Sequence, residues 1–192
     1  MANIVIVRTL NEERNIAKFI ESYLDWIDLI LVADGGSIDN TVPIAESYPK
    51  TKVSSFYWRI EMNNDLWRNP EAAHINFLVD WAEDEGANWI FFDDCDCLPN
   101  IHLKRNIKYY MDTATFDFIY AVRLYVWGID QHFPKLARPG TDNKWETSLW
   151  GWNAKEIEIE FIDTDMAFRF EPMPEFHERL NLFPPYALLH YG

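Results

Sequence analysis

Ile90 to Asn100 reads IFFDDCDCLPN, and with Trp89 before it an apolar run (WIFF, Trp89 to Phe92) ends in Asp93, Asp94 and Asp96. A short apolar run bounded by turn-forming residues reads as a buried strand. Carboxylates ~4 Å apart repel by roughly 4 kcal/mol at an effective dielectric of 20. Open α/β sheets bind ligands beyond the carboxyl ends of their strands. The fold therefore turns on whether other strands deliver polar loops to the same edge.

Three other runs read as strands, and the first two end in polar loops: Ile4 to Val7 (IVIV), Leu29 to Ala33 (LILVA) and Val53 to Trp58. Between the first two, Ile16, Phe19, Ile20, Tyr23, Leu24 and Ile27 recur at the spacing of one buried helix face. Asn11 is the expected N-cap of that helix, with Glu12 and Glu13 at the positive end of its dipole. A second helix is predicted to run to about Tyr48, with Pro43 in its first turn. Asn69-Pro70-Glu71 supplies a cap, a proline and an acid for a third helix. That helix is expected to bury His74, Phe77, Leu78, Trp81 and Ala82 and to stop at Gly86.

The alternation predicts an α/β fold: a three-layer sandwich with a mainly parallel central sheet and helices on both faces. The loops Arg8 to Glu13, Asp34 to Thr41 and Asp93 to Asn100 then share one edge. The C-terminal half reads as mixed and less regular. A helix from about Asn100 to Thr113 and strands at Phe116 to Trp127, Glu156 to Ile162 and Ala167 to Phe170 are expected there. Residues 128–153, with the segment WETSLWGW, read as irregular. Trp145, Trp150 and Trp152 suit a satellite apolar cluster or a sugar platform. No linker divides the chain, so 1–192 reads as one domain with halves at 1–100 and 101–192.

Lysine and arginine number 17 against 31 acids, a net charge of −14. That balance argues against nucleic acid and anionic lipid as partners and suits the recruitment of divalent cations. The start MANIVIVRTLNEE lacks the apolar core of a signal peptide, and no run reaches the ~20 apolar residues of a membrane span. A cytoplasmic protein with no integral membrane segment is expected. Cys95 and Cys97 are too close for an unstrained disulfide and too few for zinc, which suits a reducing compartment.

In an extended segment Asp94 and Asp96 point the same way, a hard oxygen site for Mg²⁺ or Mn²⁺. A solvated acidic loop is the competing reading of a bare D-x-D. Asp34 in Asp34-Gly35-Gly36-Ser37 can accept from a base N–H or a ribose hydroxyl, or it can serve a plain turn. No G-x-G-x-x-G or P-loop motif is present.

Taken together, IVIVRTLNEERNI, LILVADGGSIDNTV and WIFFDDCDCLP resemble the nucleotide-sugar half of the family 2 glycosyltransferases, which have the GT-A fold. The resemblance implies that Asp94 and Asp96 hold Mn²⁺ or Mg²⁺ on the donor diphosphate. It implies that Asp34 contacts the base, that Thr9, Leu10, Asn11 and Glu12 line the nucleoside pocket, and that Arg68 faces the diphosphate. Phe176-His177-Glu178-Arg179-Leu180 is similar to the H-E-x-L segment of that family, which makes Glu178 the implied catalytic base. His190-Tyr191-Gly192 is similar to its H-Y-G segment, so His190 is implied as a further metal ligand, tilting the choice to Mn²⁺. The implied activity moves a sugar from a nucleotide-diphosphate donor to an acceptor hydroxyl, with inversion; the acceptor is a sugar, a lipid-linked molecule or a protein. Two alternatives are a non-catalytic nucleotide-sugar or glycan binder and a phosphohydrolase of the haloacid dehalogenase type. The second fits less well, because its D-x-D belongs on the first strand.

Overall fold

The computed structural model describes residues 2–56, 61–63, 66–68, 71–113, 118–127, 135–137, 147–154, 160–163, 168–171, 179–182 and 188–190. Four strands, β1 (Ala2–Thr9), β2 (Leu29–Asp34), β3 (Thr51–Ser55) and β6 (Ala87–Phe92), form a parallel block in the order β3-β2-β1-β6. The sheet continues as β10 (Thr147–Asn153), β8 (Phe118–Trp127), β14 (Leu188–His190) and β7 (Cys97–Pro99). In this part β10 runs antiparallel to both neighbours and β7 antiparallel to β14, giving the expected mixed character.

Alternate residues of each parallel strand enter opposite cores, as the two-residue period of a strand requires. Val5, Val7, Ile30, Val32 and Phe91 pack with α1 (Ile16–Tyr23), α2 (Thr41–Glu46) and α4 (Ile101–Asp112). Ile4, Ile6, Leu31, Ala33, Ile90 and Phe92 pack instead with α3 (Glu71–Asp84). The strands are apolar on both sides because helices cover both sides. Gly86 ends α3 with φ +75, the left-handed conformation glycine adopts without strain.

The structure corrects several expectations. Helix α1 begins at Ile16 with Asn15 as its N-cap, four residues beyond the expected start at Asn11. Asn11 has φ +57, and its side chain accepts from the Ile38 amide of the second loop instead of capping the helix. Residues 147–153 form β10 rather than irregular chain, and β4 (Glu61–Asn63) pairs antiparallel with β5 (Leu66–Arg68), a pairing not expected from the sequence.

Gly151 explains how β10 reaches β6. It stands opposite Phe91, and a Cβ there would lie 2.6 Å from Phe91 Cδ1. The Phe91 ring is fully buried and edge-on to Trp26 at 5.1 Å, so it has nowhere to retreat. Gly151→Ala is expected to cost about 1–3 kcal/mol through overpacking. A thermal melt should show a drop of about 5 °C; an unchanged melt would mean the ring can move after all.

Candidate active site

The first two loops are tied to one another. The Asn11 amide donates to Ser37 Oγ at 2.8 Å, and Asn11 Oδ1 accepts from the Ile38 amide at 2.9 Å. The Glu12 amide donates to Thr41 Oγ1 at 2.7 Å, and the Glu13 amide to Asp39 Oδ2 at 3.1 Å. Glu13 Oε2 in turn accepts from the Asn40 amide at 3.2 Å. The left-handed backbone at Asn11 turns both its amide and its side chain toward the second loop, and asparagine tolerates that conformation better than most residues.

Asp34 is the centre of this clasp. It is 3% exposed. Its carboxylate accepts from the Gly36 amide (2.9 Å), the Ser37 amide (2.8 Å), Ser37 Oγ and Thr9 Oγ1 (3.2 Å). Those bonds use all of the roughly four acceptor positions of a carboxylate. Asp34 therefore holds the turn, and it does not line the cavity described below.

The third loop leaves β6 through Asp93, which is fully buried and accepts from Tyr23 Oη of α1 at 3.0 Å. The chain then turns, with the Cys97 amide donating to the Asp94 carbonyl at 2.9 Å. Asp94 and Asp96 are half-buried while Cys95 and Cys97 are buried. The two acids thus reach a common space as expected, but through a turn rather than an extended segment. Burial first, and the surrounding acids second, push the Cys95 thiol well above its ordinary range and keep it protonated.

That space is a cavity of about 300 Å³ lined by Arg8, Thr9, Leu10 and Glu12 from the first loop and by Asp94, Cys95 and Asp96 from the third. It lies where chain order reverses, between β1 and β6, the switch point at which such sheets bind ligands. Arg8 reaches Asp94 across it, with Nη2 3.6 Å from Oδ1. Burial raises the Glu12 carboxyl above its ordinary pKa; the Asn15 amide opposes this, and Asp96, Asp39 and Asp94 add to it.

On α3, His74 is fully buried, stacks on Phe56 at 4.8 Å and donates from Nε2 to the Ala33 carbonyl at 3.0 Å. Burial lowers its pKa from 6.5 to about 4, although the Ala33 bond pulls the other way. The folded pKa lies below the unfolded one, so the unfolded chain gains the proton first on acidification. Stability is expected to be full above pH 6.5 and to fall between pH 6.5 and 4, by up to about 3 kcal/mol. Denaturant titrations across that range should show the loss, and His74→Gln should flatten it.

Of the remaining expected residues, Thr9, Leu10 and Glu12 line the cavity, and Asn11 braces the loop behind it. Strand register sets His190 of β14 opposite Cys97, one residue beyond Asp96, while its side chain lies outside the described residues. Arg68 belongs to β5, opposite Glu61, and its side chain is likewise outside them, as is the whole of Glu178. Among the described residues no three histidine, cysteine or acidic side chains converge as a ready-made metal site. The contact of Arg8 with Asp94 was missed, because only the folded sheet joins residues so far apart in sequence.

The family model for glycosyl transferase family 2 matches residues 4–174. The chain belongs to that family. A curated relative, the SPbeta prophage-derived glycosyltransferase SunS of Bacillus subtilis (strain 168), is 29% identical over 96 residues, which are 50% of this chain and 19% of SunS. The chain thus spans about a fifth of that relative. The crystal structure of S. aureus TarS 1-349 superposes over 100% of this chain and 60% of its own, with a TM-score of 0.66 and 18% identity. The same protein in complex with UDP matches 70% of this chain and 38% of its own, with a TM-score of 0.52 and 24% identity. These likenesses, with the family match, establish the α/β, GT-A-like architecture expected from the sequence. No helix of the described residues is long and apolar enough to cross a membrane.

Proposed function

We propose that this member of glycosyl transferase family 2 binds a nucleoside-diphosphate sugar in the β1–β6 cavity and transfers the sugar to an acceptor hydroxyl, with inversion. The observation that carries the reading is the convergence of Glu12, Asp94 and Asp96 with Arg8 on one cavity at the switch point. The UDP complex of TarS, a protein of the same fold, supports a donor of this chemical class.

Asp94 and Asp96 fit a hard divalent cation: both are carboxylates, both face the cavity, and repulsion between them is relieved by positive charge. When bound, Mn²⁺ or Mg²⁺ would supply Lewis-acid stabilisation of the departing diphosphate. His190 is the proposed third protein ligand, on the strength of its register beside the acidic turn. Thr9, Leu10 and Glu12 line the donor pocket, Asp34 keeps their loop in place, and Arg68 is assigned to the diphosphate. The acceptor hydroxyl has a high pKa and needs a base within hydrogen-bond reach, the role given to Glu178.

The test is sugar release from a panel of nucleotide sugars, with an acceptor screen. Glu178→Gln should leave donor binding intact and lower transfer about 10²–10⁴-fold, the usual contribution of a general base. Undiminished transfer in that variant would remove Glu178 from the mechanism without touching the donor site.

A further inference from the structure

Among the described residues that line the cavity, Arg8 alone is basic, and the acid it meets is one of the two assigned to the cation. Its backbone is fixed: it pairs with Ala33 in the centre of the parallel block. Its side chain is 17% exposed and that of Asp94 is 34% exposed, so the pair sits at the cavity wall rather than in bulk solvent. The 3.6 Å separation exceeds the roughly 2.7–2.9 Å of a tight charge-assisted hydrogen bond. Such a pair attracts without the tight geometry of a charge-assisted hydrogen bond. A guanidinium also matches the oxygens of a phosphate in a two-pronged geometry.

We propose that Arg8 makes cation binding at Asp94 conditional on the donor's diphosphate. Without donor, the guanidinium holds the Asp94 carboxylate, and a divalent ion arriving there meets a positive charge a few ångströms away. A diphosphate in the cavity offers Arg8 a more highly charged partner. Arg8 then turns to the phosphate oxygens and releases Asp94, so cation and nucleotide favour one another through a single side chain. The inference rests on the nucleotide-sugar reading above and adds to it the residue that couples the two ligands.

Mn²⁺ binding to the whole chain, followed by loss of the free-ion paramagnetic resonance signal, tests it. Wild type, Arg8→Gln and Arg8→Met are compared, the methionine variant keeping most of the apolar stem so that packing is preserved. Circular dichroism checks the fold of each. In the absence of nucleotide, both variants should bind Mn²⁺ about 10-fold more tightly than wild type. At saturating Mn²⁺, calorimetry with UDP, GDP, dTDP and CDP should show the nucleotide that binds wild type binding the variants about 10-fold more weakly. Unchanged or weaker Mn²⁺ binding in the folded variants, in a protein that does bind a nucleotide, overturns the Arg8 inference alone. A wild-type protein that binds none of the four nucleotides overturns the donor reading as well.

Discussion

Asp96→Asn should lower sugar transfer by about 10³-fold, because it weakens the hold on the cation that would stabilise the departing diphosphate. The same substitution should leave the cation-free protein at least as stable as its parent. Asp96 lines the cavity with Glu12 and Asp94, and its charge helps to push the Glu12 carboxyl up. Removing that charge relieves repulsion while replacing a half-buried carboxylate with an amide of the same shape. A gain of up to about 1 kcal/mol is expected, the usual sign of a residue kept for function at some cost to stability. Turnover assays and melts in the presence of a chelator read the two effects separately. Lost activity with a melting point several degrees lower would make Asp96 a structural acid.

Asp34→Ala should have the reverse signature. The carboxylate accepts from Thr9, Gly36 and twice from Ser37 at a site 3% exposed, and alanine leaves those donors unmatched. At about 1–3 kcal/mol for each buried group that finds no water, a total near 3–5 kcal/mol is expected. For a chain of this size the melting point should fall by about 10 °C. Donor affinity should fall with it, because Thr9 and the glycine turn lose their anchor. If Asp34 served only to contact a base, the melt would be unchanged and binding alone would suffer.

The parallel half of the fold was legible because its strands are buried on both faces and so appear as unbroken apolar runs: IVIV, LILVA and WIFF. The start of α1 was not, because Asn11 answers to Ser37 and Ile38, partners more than twenty residues away. Strand β10 was hidden for a related reason. Its register shifts between Leu149 and Gly151, which breaks the two-residue period, and its glycine serves a ring on another strand. At the site, residue type and position beyond a strand single out Asp94 and Asp96, and both stand at the cavity wall. The turn that aims them depends on a backbone bond from Cys97, and the guanidinium that faces them is 86 positions earlier. Asp34 shows the limit from the other side. Its motif is compatible with ligand contact and with a plain turn, and only the hydrogen-bond count displays how fully the turn uses it.

The most direct test of the central claim, a cation-assisted nucleoside-diphosphate site between β1 and β6, is a thermal-shift panel. UDP, GDP, dTDP and CDP are each added with and without Mn²⁺ to the parent and to Asp94→Asn. Ligand at about 100 times its dissociation constant stabilises by about 2.7 kcal/mol, so at least one nucleotide should raise the parent's melting point by several degrees when Mn²⁺ is present. That rise should be largely absent without Mn²⁺ and in the variant. No Mn²⁺-dependent shift with any of the four, or an equal shift in Asp94→Asn, would contradict the account.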